Sequence, residues 1–178
     1  REETGGFDVR GRTTPGSSRR RAREAALQVL YAIDLAWRPS SPDFSQDDGK
    51  ASSILSGSDA GPGAADASFS LDETFNEVVT HFEVPEGSRT FARELVSEVC
   101  HRRPELDRSI SASSSNWRVD RMAAVDRNIL RLGTYELAHT ETPAPVILNE
   151  AVDLARRFSN DPSPAFVNGI LDAVARVV

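Results

Sequence analysis

Apolar residues recur at helical spacing along most of this 178-residue chain, and no stretch sustains the two-residue alternation of a half-buried strand. Each such stripe must be covered by another helix, so the spacing predicts an all-α fold of about seven helices. The first is predicted to open at Ser17 or Ser18 and to stop at Pro39, with Ala26, Val29, Leu30, Ile33 and Trp37 on its buried face. A capping box of Ser70 and Glu73 starts a second, carrying Leu71, Phe75, Val78, Val79 and Phe82. Ser88 is predicted to cap a third, with Phe91, Leu95 and Val99, and Pro104 to open a fourth around Leu106 and Ile110. The run from Ser111 to Ser115 has poor helix propensity and makes the fourth the weakest of the set. From about Asp120 to His139, Met122, Val125, Ile129, Leu132 and Tyr135 form one side, with Arg127 and Arg131 nearer the other. Pro143 and Pro145 introduce a sixth stripe of Ile147, Ala151, Leu154, Ala155 and Phe158, and Ser163 is predicted to cap a seventh with Phe166, Val167, Ile170, Leu171 and Val174.

Composition divides the chain further. In residues 39–68, Ser, Gly, Pro, Asp and Ala fill 25 of 30 positions, too little apolar surface to offset ordering entropy. This stretch is expected to be a disordered acidic linker within a single helical domain spanning 17–178, behind a flexible extension of residues 1–16. The opening Arg1 places the expected true start upstream.

The net charge of -6 excludes binding of a polyanion by bulk charge alone. The charge is unevenly spread: residues 1–38 carry eight Arg against five acids, residues 39–88 one Lys against ten, and residues 89–178 twelve of each. The dense cationic spot is Arg19, Arg20, Arg21 and Arg23.

Catalytic signatures are missing. His81, His101 and His139 fall on three different predicted helices, and Cys100 is a lone cysteine beside Val99. One cysteine excludes an internal disulfide and any multi-cysteine metal site. There is no glycine-rich phosphate loop, nucleophile elbow or dinucleotide fingerprint. The sequence therefore predicts a non-enzymatic protein without cofactor, and with no long apolar span or signal core, a cytoplasmic one.

On the first helix, the arginines, Gln28 and Tyr31 are predicted to share one exposed edge. Guanidinium forks match phosphate oxygens, an amide reads base edges, and a tyrosine stacks on an unpaired base. Four single-strand phosphate contacts would give a salt slope near -3, roughly a 50-fold loss between 50 and 200 mM salt, so a partner adding further contacts is expected.

Three ordered blocks carry a resemblance. They are Arg19-Arg20-Arg21-Ala22-Arg23-Glu24 through Leu30-Tyr31, Asn116-Trp117 through Asp126-Arg127-Asn128-Ile129-Leu130-Arg131 to Tyr135-Glu136-Leu137, and Leu148-Asn149-Glu150-Ala151 with Phe166-Val167-Asn168-Gly169-Ile170. Together they resemble the NusB family of bacterial transcription antitermination factors. The resemblance implies two packed helical subdomains, the first three helices and the last four. It also implies binding of boxA-type single-stranded RNA with the small-subunit ribosomal protein that doubles as Nus factor E, alongside other Nus factors and RNA polymerase. It assigns RNA contacts to Arg19, Arg20, Arg21 and Arg23, a border position to Tyr31, a place near the RNA path to Phe166, and a face toward the ribosomal protein to Asp126. Gly169 is expected to admit a close helix, Asn168 to bond a neighbouring backbone, Asn149 and Glu150 to anchor packing, and Arg131 to pair with a carboxylate. The acidic connection after the first helix is longer than the family leads one to expect, and Arg1, Arg10 and Arg12 are candidates for additional weak phosphate contacts. Self-association that buries the RNA surface is a further expectation. Two alternatives stand beside this reading: the leading domain of a ribosomal-RNA cytosine methyltransferase, which requires a following methyl-donor domain, and an all-α protein-interaction module.

Overall fold

The computed structural model describes residues 15–36, 71–82, 84–114 and 117–178, with side chains from Ser18 onward. The expected linker, most of the expected extension, Trp37 and Ser70 lie outside the described residues.

Seven helices form: α1 (Pro15–Ala36), α2 (Leu71–His81), α3 (Glu86–His101), α4 (Arg103–Ser113), α5 (Ala124–His139), α6 (Ala144–Phe158) and α7 (Ser163–Ala175), with a 3-10 turn at Val119–Arg121 before α5. Helix α1 opens on Pro15, where a missing N–H costs nothing and the fixed φ suits a first turn. Its Ala22, Ala25 and Ala26 are buried, and these small side chains let it pack along α3, whose Ala92, Leu95, Val96 and Val99 face it from the same core. Helices α1, α2 and α3 pack together, as do α4, α5, α6 and α7; α5 joins the halves by also packing on α1 and α3.

Several predicted caps take other roles. Helix α3 starts at Glu86 after Pro85, and Ser88 lies inside it, buried, with its hydroxyl 3.2 Å from that of Ser18. Ser18 is itself inside α1 and donates to the Gly87 carbonyl at 3.1 Å, so the pair clips α1 to α3 instead of ending either helix. Ser163 is the first residue of α7, behind Pro162. Helix α4 persists to Ser113 because Leu106 and Ile110 are buried, while Ser109 and Ser111 direct their hydroxyls back to the carbonyls of Glu105 and Asp107. Phe82 falls beyond α2 and is exposed, so it leaves the predicted stripe.

Helix α5 departs most from its predicted amphipathic form. Every residue from Asn128 to Glu136 is buried, polar ones included. Arg131 does find carboxylates inside the fold: it donates to Asp107 at 2.7 and 2.8 Å and to Asp34 at 3.3 Å. Asn128 donates to the Ala124 carbonyl at 2.9 Å. Where α7 crosses, a Cβ on Gly133 would lie 2.7 Å from a Leu171 methyl. At Gly169 it would meet nothing within 4 Å, so the close approach expected there belongs to Gly133.

Candidate nucleic-acid interface

The arginine cluster is split by the fold. Arg19, Arg20 and Arg21 are exposed on the first turns of α1, whereas Arg23 is only 4% exposed and turns inward. Its Nε donates to Glu136 of α5 at 2.8 Å and its Nη2 at 2.6 Å, a two-pronged pair, with Glu150 of α6 at 3.6 Å from Nη1. Burial works against the Arg23 charge, but the hydrogen bond to Glu136 and the charges of Glu136 and Glu150 outweigh it, and the net shift is upward. The expectation that Arg23 shares the exposed edge is therefore corrected: a guanidinium enclosed among carboxylates has no free fork to offer a phosphate. Glu150 does anchor packing as expected, through this contact.

Without Arg23 the edge still holds together. Residues 20, 24, 28, 31 and 35 follow one another at three- or four-residue steps, so Arg20, Gln28 and Tyr31 occupy one ridge ending at exposed Leu35. Gln28 is half-buried and Tyr31 is 38% exposed. The guanidinium of Arg19 sits 5.5 Å from the centroid of the Phe91 ring of α3, which fixes its stem without spending its N–H donors.

Carboxylates distant in sequence gather at this rim. Arg20 lies 3.2 Å from Asp153 of α6, and both Arg20 and Arg21 lie 3.8 Å from Glu24. In return α6 adds two cations that the sequence reading missed: Arg157, donating to Glu24 at 2.5 Å, and Arg156, donating to Asp153 at 3.1 Å. Their adjacent placement at the end of a predicted amphipathic helix was the available signal. The exposed rim thus holds five guanidinium groups over two carboxylates, an excess of positive charge in a chain that is acidic overall.

Asp126 also has partners within the fold. It is buried in the first turn of α5, accepting hydrogen bonds from Ser159 at 2.6 Å and Ser163 at 2.9 Å, and so ties the start of α5 to the turn between α6 and α7. Its carboxylate is held inside the fold by these two hydroxyls. Phe166 is half-buried and meets exposed Trp117 edge-to-face at 5.5 Å between centroids. His81 and His101 end α2 and α3, and His139 ends α5 within 3.6 Å of Glu105; among the described residues no three metal-binding side chains converge. Burial pushes the half-buried Cys100 thiol up, only partly opposed by Arg103 and Arg131. No helix among the described residues is long and apolar enough to cross a membrane.

These features define a small helical-bundle module with a cluster of exposed cations on a rim formed by the start of α1 and the end of α6. The chain belongs to the NusB family: the family profile described as NusB family matches residues 51–176, more than half of the chain. Curated relatives agree over nearly the whole length. The transcription antitermination protein NusB of Desulfotalea psychrophila is 38% identical over 159 residues, covering 89% of this chain and 95% of the relative. That of Symbiobacterium thermophilum is 41% identical over 160 residues, covering 89% and 90%. Among solved structures, a NusB from T. maritima superposes with a TM-score of 0.66 at 27% identity, covering 92% of each chain. A chain from a complex of antitermination factors NusB and NusE with dsRNA superposes with a TM-score of 0.67 at 25% identity, covering 90% of this chain and 98% of that one.

Proposed function

We propose that this chain is an RNA-binding transcription antitermination factor that engages boxA-type RNA together with the small-subunit ribosomal protein acting as Nus factor E. In this reading it works in the cytoplasm during ribosomal RNA transcription, within a complex of other Nus factors and RNA polymerase, by binding and without catalysing a reaction. The observation that carries the proposal is the exposed rim of Arg19, Arg20 and Arg21, extended by Arg156 and Arg157 and leading through Gln28 to Tyr31. Relatives bearing the antitermination name, and a structural neighbour solved with NusE and dsRNA, support it.

The small number of free α1 guanidinium groups supports a role for a partner. With Arg23 withdrawn, three α1 guanidinium groups remain for phosphates, giving a salt slope near -2 and roughly a 20-fold loss between 50 and 200 mM salt. The carboxylates of Glu24 and Asp153 compete for the same donors. Contacts from a second protein add to a grip that is weak alone.

A gel shift with a boxA-type leader oligonucleotide, titrated with the ribosomal protein, tests this. Tight binding by the pair, and its loss on joint replacement of Arg19, Arg20 and Arg21 by Ala, is the expected result. Unchanged RNA affinity alongside lost binding of the ribosomal protein would instead make the chain a protein-interaction module.

A further inference from the structure

Glu24 is a nearly buried carboxylate, its side chain 9% exposed, set among exposed arginines. Such a group needs a resident cation, because an unpaired charge shielded from water is costly. Among the described residues three guanidinium groups compete for the place, and their distances rank them. Arg157, reaching over from α6, donates through Nη1 at 2.5 Å, while Arg20 and Arg21 on α1 stand at 3.8 Å, beyond hydrogen-bond length. The Arg157 guanidinium also lies 5.2 Å from the centroid of the Phe158 ring, which holds it in place. Arg20 has a second neighbour in Asp153 at 3.2 Å, but that carboxylate already receives Arg156 at 3.1 Å. Arg20 and Arg21 precede Glu24 by four and three residues on one helix face, so either can swing onto its carboxylate by side-chain rotation alone.

That ranking gives Arg157 a task other than touching a phosphate. As long as it neutralises Glu24, the donors of Arg20 and Arg21 can pass to an incoming phosphate without stranding a buried charge. Once it is removed, the carboxylate draws in the two α1 arginines as replacements. Resting on the function proposed above, we propose that Arg157 is a positioning residue, the resident counter-ion of Glu24, which keeps Arg20 and Arg21 free for RNA phosphates. An arginine that contacted phosphate directly would behave differently, since the cost of losing it would not depend on Glu24.

The test follows the anisotropy of a fluorescent boxA-type leader oligonucleotide with the full chain and the ribosomal protein across a salt series. Arg157→Gln lowers the salt slope by about 0.7 for each α1 arginine captured, about 1.4 for both, and then weakens binding roughly 25-fold at about 100 mM salt. Adding Glu24→Gln removes the carboxylate that captures them, and the slope of the double variant returns to that of the parent. Phenylglyoxal labelling of the free chain, read by mass spectrometry, follows the arginines without RNA. Arg20 and Arg21 react more slowly in Arg157→Gln than in the parent and recover in the double variant, while Arg19, resting on Phe91, is the constant reference. Thermal unfolding of each variant sets the temperature below which both measurements are made. An unchanged slope in Arg157→Gln, a double variant that keeps the deficit, or labelling of Arg20 and Arg21 indifferent to Arg157 would each overturn the assignment. Should that happen while the parent binds and the triple arginine variant fails, the proposed function stands without it. If the unaltered pair ignores the oligonucleotide, the proposed function falls and the role of Arg157 in RNA binding falls with it.

Discussion

Replacing Arg23 by Ala separates the interior arginine from the three on the rim. The guanidinium is 4% exposed, and its partner Glu136 carries a side chain that is 2% exposed. Removing one member of such a pair strands the other charge in a poorly solvated site, which costs about 3–5 kcal/mol. Glu150 cannot substitute, being itself an anion that loses its cation. For a helical body of this size about 3 to 4 °C of Tm goes with each kcal/mol, so the variant should melt about 10–20 °C lower. Changing both members, Arg23→Met with Glu136→Leu, removes the stranded charge and should recover most of that loss. The readouts are thermal unfolding by circular dichroism and the salt slope of RNA binding measured below the melting transition. Arg23→Ala is expected to lower Tm and leave the slope unchanged, whereas Arg20→Ala should leave Tm nearly unchanged and reduce the slope by about 0.7. An Arg23→Ala protein with an unaltered Tm and a shallower slope would refute the assignment of this residue to the core.

Acid should act through Asp34. Burial favours its protonated form, but the hydrogen bond from Arg127 and the charges of Arg127, Arg131 and Arg103 prevail, and its pKa is depressed. An Asp34→Asn variant should therefore be less stable by about 3 kcal/mol at neutral pH. That gap stays full above the unfolded pKa of about 3.9 and closes as pH falls through the lower folded value; urea unfolding across acidic pH measures it, and a gap independent of pH would sink the account. The two helical glycines should respond with opposite signs. Gly169→Ala faces open space and gains about 0.5–1 kcal/mol of stability, while Gly133→Ala drives a methyl into Leu171 and loses about 1 kcal/mol, both read by chemical denaturation.

Much of the architecture was legible because it is local. The spacing of Phe75 and Val79, of Leu95 and Val99, and of Ile147, Ala151 and Leu154 marks buried faces that the structure confirms. Propensity misled at α4, where tertiary burial of Leu106 and Ile110 carries the helix through a serine-rich end. The capping rule misplaced Ser88 and Ser163, whose hydroxyls serve contacts between helices; no local pattern distinguishes those two uses of a serine. Asp126 read as a surface charge because its two serine partners lie 33 and 37 residues further on.

By itself, the order of residues determined that the chain is helical, roughly where its helices lie, and that its positive charge concentrates at the start of the first one. Which of those arginines meets solvent was decided only in three dimensions. A helix covered on one side has a readable outer face, but α1 is flanked by α2, α3 and α5, so its exposed edge narrows to a ridge that excludes Arg23. The partner of Arg23 stands 113 residues away. Periodicity carries no information over that separation; only the packing of α5 between the two halves brings that carboxylate to the guanidinium and leaves Arg19, Arg20 and Arg21 outside.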